Sequence, residues 1–166
     1  MPTNTICEVK TRLIDVLEEQ VDEKYYLSEE KTRKLTLDSD LGGKLNQYEF
    51  AERNREIAIK EATKKGYTTA NVGDSVNVSY PNSTTRRGRV GKQLAQTLQA
   101  GEVNQGVVTE NIRIRKLTPL ECWRLQGFSD DQFYKAKSSG VSNSQLYKQA
   151  GNAVTVNVVE VIVNEL

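Results

Sequence analysis

Four cations fall within seven residues in Arg86-Arg87-Gly88-Arg89-Val90-Gly91-Lys92, directly after Ser83, Thr84 and Thr85. Guanidinium and ammonium groups at this density, with hydroxyls beside them and two glycines that let the backbone come close to a partner, suit phosphate oxygens and hence nucleic acid. A solvated charged loop has the same composition, and the run alone does not separate the two readings. On duplex DNA, one Arg of such a run is the type that reads guanine by paired hydrogen bonds while its neighbours neutralise phosphate, and the spacing does not say which. Groups for covalent or acid–base chemistry are scarce. The chain has no His, which excludes a Ser-His-Asp triad, a His-rich zinc site and an imidazole base. Its two cysteines, Cys7 and Cys122, are far apart and follow no CxxC spacing, so neither a zinc cluster nor a disulfide framework is expected. Cys122 reads as a core residue of a helix and Cys7 as a free thiol near the N-terminus.

The elements that must carry these residues are unevenly marked. The chain is 166 residues long, enough for one domain or slightly more, and its net charge of +1 is a sum over unlike segments. Residues 77–118 hold seven basic and two acidic side chains, whereas residues 1–65 hold 12 basic and 14 acidic ones. Leu13, Ile14, Leu17 and Val21 recur at helical spacing within TRLIDVLEEQV, which predicts an amphipathic helix there. Ser28 before Glu29 and Glu30 predicts a second helix start. The charged segment LGGKLNQYEFAERNREIAIKEATKKGY predicts loop with some helix. From Gly66 the composition turns to Thr, Val, Asn and Ser; Val76 and Val78 alternate, Pro81-Asn82-Ser83 marks a turn, and GVVTENIRIRKL alternates as a strand. Thr118-Pro119-Leu120-Glu121 is a capping box opening a helix that Gly127 ends, and Ser142-Asn143-Ser144-Gln145 predicts a second, closed by Gly151. The last segment, AVTVNVVEVIVNEL, fits strand alternation and helical spacing about equally.

Two blocks of this last third carry a resemblance. Arg115-Lys116-Leu117-Thr118-Pro119-Leu120-Glu121-Cys122-Trp123-Arg124-Leu125-Gln126-Gly127-Phe128 closely resembles the RxLTPxExxRLQGF block of bacterial and phage cytosine-5 DNA methyltransferases. Ser144-Gln145-Leu146-Tyr147-Lys148-Gln149-Ala150-Gly151-Asn152-Ala153-Val154 resembles the family's last block, SQLYKQxGNSV. The stretch RRGRVGKQLAQTLQAGEVNQGVV is similar to the family's target-recognition region, including its Thr97-Leu98 pair, and RLIDVLEEQVDEKYYLS to the segment leading into it. The likeness is closest over residues 113–163 and loosest over 35–65. The family's glycine-rich cofactor loop, Pro-Cys nucleophile and Glu-Asn-Val block have no counterpart, since no cysteine follows Pro2, Pro81 or Pro119.

The resemblance implies an α+β fold with helices at both ends and a small twisted sheet in residues 66–117. It implies a recognition region over 1–117 and a C-terminal helical segment over 118–166. It implies duplex-DNA contacts from Arg86, Arg87, Arg89, Lys92, Thr97 and Leu98, and S-adenosylmethionine contacts from Asn152, Ala153 and Val154, with Ala153 lacking the hydroxyl of the commoner Ser. Thr118 and Glu121 are expected to cap a helix, Arg115 and Arg124 to tie the block to its neighbours, and no residue of the chain to be a nucleophile. In the family, a thiolate attacks C6 of a flipped cytosine before C5 is methylated. Methyl transfer is therefore expected only with a companion N-terminal half. The final helix, which in the family packs on the cofactor domain, is expected to leave a Val/Ile surface for that half, for self-association or for aggregation. The rival expectation is a non-enzymatic DNA-binding or regulatory relative. No apolar run approaches the ~20 residues of a membrane span and no signal peptide is evident, so a cytoplasmic location is expected.

Overall fold

The structure, a computed structural model, describes residues 11–37, 56–101 and 103–165. Cys7 and residues 41–55 of the segment read as loop with some helix lie outside the described residues. The architecture is α+β. A four-stranded antiparallel sheet has the order β4-β3-β5-β6, with β3 Ser75–Asn77, β4 Val90–Gly91, β5 Gln105–Val108 and β6 Ile114–Lys116. A separate hairpin pairs β1 Glu56–Lys60 with β2 Tyr67–Asn71. Helix α1 spans Glu29–Leu35 and precedes the hairpin; α2 Pro119–Leu125, α3 Asp130–Ser138, α4 Asn143–Asn152 and α5 Val156–Asn164 follow the sheet.

The small sheet is buried on both sides, so β5 ends in the consecutive apolar pair Val107-Val108, while β3 alternates Val76 with the buried polar Ser75 and Asn77. Val107 joins a cluster with Leu13, Val16, Leu117, Leu120, Trp123, Phe133 and Leu146. Its neighbour Val108 joins Leu35, Ile57, Ile59, Ala70, Val76 and Ile114. Successive side chains of one strand thus serve two cores, one helical and one built on the hairpin. The first cluster crosses residue 117, so the segments on either side of it share a core.

Several expectations are met, and some differ for physical reasons. Thr118 and Glu121 form the full capping box of α2. The helix ends as expected at Gly127, whose φ of +85° closes a Schellman motif: Phe128 N donates to Trp123 O and Gly127 N to Arg124 O, with the Trp123 and Phe128 rings 5.0 Å apart. Ser142 caps α4 through Gln145 N. Gly151 does not close α4, however, which continues to Asn152. The last segment is helical. The helix expected over residues 11–21 is only a 3-10 turn, Leu13–Val16. Its backbone partners lie elsewhere: Leu13 N donates to Gln93 O and Glu18 N to the Glu121 carboxylate, so tertiary bonds replace the next helical turn. Residues 56–60, within the segment read as loop, form a strand, because Ile57, Ala58 and Ile59 are all buried against β2 and α1 and carry the pattern of a covered strand.

Glu121 is the joint of these parts. Its carboxylate is fully buried and accepts two hydrogen bonds from Arg115, at 2.7 and 2.8 Å, one from Thr118 N and one from Glu18 N. One anion therefore joins the N-terminal segment, β6 and α2. Removing one partner of a buried, bidentate pair leaves an uncompensated charge. Glu121→Ala is expected to lose about 3–5 kcal/mol of unfolding free energy in a denaturant titration, and Arg115→Met with Glu121→Leu is expected to lose less than that single change. A double variant as unstable as the single one would contradict the charge argument.

Candidate nucleic-acid interface

The residues of the basic run do not share one environment. Arg86 is half-buried and Arg87 exposed. The Arg86 guanidinium lies 5.5 Å from the centre of the Tyr80 ring, and Arg87 Nε donates to Ala62 O at 2.8 Å. Arg89 is not a surface cation. It is 1% exposed, and its guanidinium donates to the carbonyls of Asn77, Ser79 and Tyr80 at 3.1, 3.1 and 2.8 Å. Its backbone N–H donates to the Glu61 carboxylate. Burial, then the neighbouring Arg86, pulls the Arg89 guanidinium below its ordinary pKa, while Glu61 opposes the shift. Charge repulsion and desolvation are thus accepted at this position in exchange for three carbonyl bonds that shape the loop above it. Lys92 is exposed along its stem, but its ammonium donates to Thr69 O and to Asp74 Oδ2 at 2.7 and 3.0 Å, tying β2 to the turn before β3. Of the four cations, Arg86 and Arg87 face outward with charge to offer a partner.

Thr97 and Leu98 sit in a loop held at many points. Leu94 O accepts from Ser75 Oγ, Gln96 N donates to Gln105 Oε1, and Thr97 O accepts from Asn104 Nδ2. Leu98 packs on the helical cluster and Thr97 is exposed. Gln96 Nε2 donates to Gly88 O at 2.7 Å, so the Arg86–Gly88 loop and the Thr97 loop are fastened to each other.

The same loop meets the end of α4. A Cβ placed on Gly151 would stand 2.5–2.6 Å from the backbone of Gln99 and Ala100. Only glycine permits this contact, which brings Asn152 and Ala153 beside the Thr97–Ala100 loop. Asn152 and Val154 are exposed and Ala153 is half-buried. A shallow groove of about 310 Å³ begins at Val154 and runs along α5 past Val156, Val159 and Val163. Asn152 and Val154 offer one carboxamide and one apolar group on an open face, which fits one wall of a site for a ligand with polar and apolar parts and does not enclose it. Among the described residues, no cluster of His, Cys, Asp or Glu could hold a metal ion.

Sequence reasoning missed other groups of this face. A groove of about 570 Å³ between α1 and the hairpin is lined by Arg33, Lys34 and Lys60 and shares Pro81, Asn82 and Ser83 with the groove beneath Tyr80. These cations come from an acidic stretch of sequence, where Lys34 pairs with Glu30, so no local charge run marked them. Tyr80, 72% exposed, carried no signal beyond its turn.

Cys122 is buried in the helical core, and burial, reinforced by Glu121, pushes its thiol up to about 12. A thiolate is the reactive form, so this cysteine is inert as a nucleophile. At pH 8 an exposed thiol is roughly a quarter thiolate, whereas the buried Cys122 thiol stays protonated. Iodoacetamide is therefore expected to spare Cys122 in the folded chain and to label it in denaturant, as read by peptide mass spectrometry.

The chain belongs to the C-5 cytosine-specific DNA methylases, whose family model matches residues 1–166. It is 36% identical over 190 aligned residues to an orphan methyltransferase, M.SPBetaI, of Bacillus phage SPbeta, an alignment covering 95% of this chain and 42% of that protein. It is 33% identical to the orphan methyltransferase M.SPRI of Bacillus phage SPR, over 93% of this chain and 49% of the relative. A shorter match reaches 70% identity over 54 residues with the orphan methyltransferase M.Rho11sI of Bacillus phage rho11s, covering 32% of this chain and 11% of the relative. The chain thus spans less than half the length of the curated relatives it matches along most of its sequence. No solved structure matches it. No described helix is long and apolar enough to cross a membrane.

The contact at Gly151 is open to test. Gly151→Ala is expected to cost about 1–3 kcal/mol by overpacking against backbone that cannot rotate away. It should also shift the amide resonances of Thr97–Ala100 more than those of the hairpin.

Proposed function

We propose that this chain supplies the DNA-recognition and C-terminal portion of a DNA (cytosine-5-)-methyltransferase. Transfer of a methyl group to cytosine C5 in duplex DNA then needs a second portion that carries the nucleophile and the glycine-rich cofactor loop. The observation that carries this reading is the chain of contacts that links the Arg86–Gly88 loop, the Thr97–Ala100 loop and the end of α4. Arg86 and Arg87, Thr97 and Leu98, and Asn152 are brought together through the Gln96–Gly88 bond and the Gly151 contact. Family membership, the lack of any Pro-Cys pair in the sequence and the inertness of Cys122 support the division of labour.

On this reading Arg86 and Arg87 contact DNA directly, with Thr97 and Leu98 near the target base. Arg89 and Lys92 act from behind, holding the loop and the turn on which the face is built. Asn152, Ala153 and Val154 hold S-adenosylmethionine from one side, and the companion half closes the site. When bound, that molecule supplies the methyl group. Residues 1–117 and 118–166 divide the work while sharing one core. Helix α5 is the docking surface for the companion half: Val154, Ile162 and Val163 are 66, 56 and 61% exposed, an apolar area that needs a cover.

Two measurements test the proposal. Duplex binding by the chain is expected to weaken with salt, and Arg87→Ala should lower the slope of log affinity against log salt by about 1, since each phosphate contact contributes about 0.9. Methyl transfer from labelled cofactor is expected only when a polypeptide bearing the Pro-Cys half is added. Activity of the chain alone would refute the division of labour. Salt-dependent duplex binding with no gain from the added half would favour a non-enzymatic DNA-binding relative.

A further inference from the structure

We propose that Tyr80, backed by Arg86 and set in place by the buried Arg89, is a specificity-determining side chain that meets base edges in a groove of duplex DNA. The inference rests on the DNA-recognition reading above and names the residue that does the discriminating.

Tyr80 belongs to neither hydrophobic cluster, and 72% of it is exposed, so core packing does not account for its ring. Its backbone has φ +49°, a left-handed conformation that aromatic L-residues seldom adopt and that persists only where the surroundings impose it. Here they do. Tyr80 O accepts from Arg89 Nη2 at 2.8 Å and from Ser83 N at 3.0 Å. Arg89 Nη1 holds the carbonyls of Asn77 and Ser79, and Asn77 Oδ1 accepts from both the backbone and the hydroxyl of Ser79. A buried guanidinium is thus committed to a loop whose tip does no packing work, and strain of this kind gathers at functional sites.

The chemistry presented at that tip narrows the partner. A phenol ring has few rotors, so holding it costs little conformational entropy, and its face and hydroxyl can both make contacts. Arg86 lies over the ring, leaving a planar aromatic with a guanidinium beside it above a groove of about 550 Å³ that includes Pro81, Asn82 and Thr85. Arg87, Lys34 and Lys60 stand on the flanks of the same loop or the adjoining groove. Cations on the flanks suit phosphates on either side of a groove, and an aromatic with a guanidinium between them suits a base edge or a base step.

The test is selection of binding sites from a random duplex pool by the whole 166-residue chain, for the wild type, Tyr80→Gly and Tyr80→Phe. Glycine adopts the left-handed backbone freely, so Tyr80→Gly removes the ring without disturbing the loop. The wild type is expected to enrich a motif. Tyr80→Gly should bind random duplex within about threefold of wild type, with the same salt slope, while losing about tenfold of its preference at one or two positions of that motif. Tyr80→Phe should keep most of the preference. An unchanged motif in Tyr80→Gly, or an equal loss on every duplex, overturns the assignment while leaving DNA recognition standing. A wild-type chain that binds no duplex overturns both.

Discussion

The structure depends on one buried anion. Glu121 has no access to solvent, and a carboxylate so placed is tolerated only if all its lone pairs find donors. It finds four, and they come from three separate pieces of chain: Arg115 on β6, Thr118 at the start of α2, and Glu18 after the first turn. Thr118 completes the arrangement, accepting from Glu121 N and donating its hydroxyl to the Glu18 carboxylate. The requirement to satisfy the anion fixes how the leading segment, the sheet and the helical core meet. Arg124 repeats the device nearer the surface, bridging Val16 O and the Asp130 carboxylate. Both arginines of the 115–128 block therefore serve the scaffold.

On that scaffold the loops are arranged by polar side chains that bond to the backbone and to one another. Arg89, Lys92 and Asn104 donate to carbonyls and a carboxylate of the loops, and Gln105 accepts from the Gln96 N–H, so that each fixes a stretch of irregular backbone. Irregular backbone beside a core must have its polar groups satisfied, and here side chains satisfy them instead of a ladder. Loops held this way are rigid enough to present a chosen side chain, which the opposite arrangement, a mobile cationic tail, does not do. The face thus combines few free charges with a fixed shape.

The legible parts of the sequence were those with local signals. The capping box at Thr118, the Gly127 stop and the Ser142 cap are short-range hydrogen-bond patterns, and all three determine helix ends in the structure. Strand β1 was illegible because EIAIK is buried by tertiary contact with β2 and α1, which no window of sequence contains. The helical spacing of Leu13, Ile14, Leu17 and Val21 misled for the same reason: distant acceptors and donors claim the backbone that a helix would have used. The basic run was read correctly as cationic, yet composition does not distinguish a guanidinium facing water from one facing carbonyls, so Arg86 and Arg89 looked alike. Tyr80 and Lys60 became visible only once folding set them beside the same loop.

Helix α5 poses the remaining physical question. Six of its nine residues, Val156–Asn164, are β-branched, a poor composition for a helix, and a helix this short is marginal in water even with favourable residues. It is held at its start, where Val156 N donates to Gln126 O and Thr155 Oγ1 to Gln126 Oε1, and where Gly127 leaves room for Asn157. Beyond that turn, Val158, Val159, Val161, Ile162 and Val163 are all exposed. Neither propensity nor packing within the described residues stabilises these last turns. Among the described residues nothing covers this apolar face, so under the proposed docking to a companion half, cover and completion of the helix would be one event. The same proposal would couple docking to Asn152 at the end of α4, because α4 and α5 are joined only by Ala153, Val154 and Thr155.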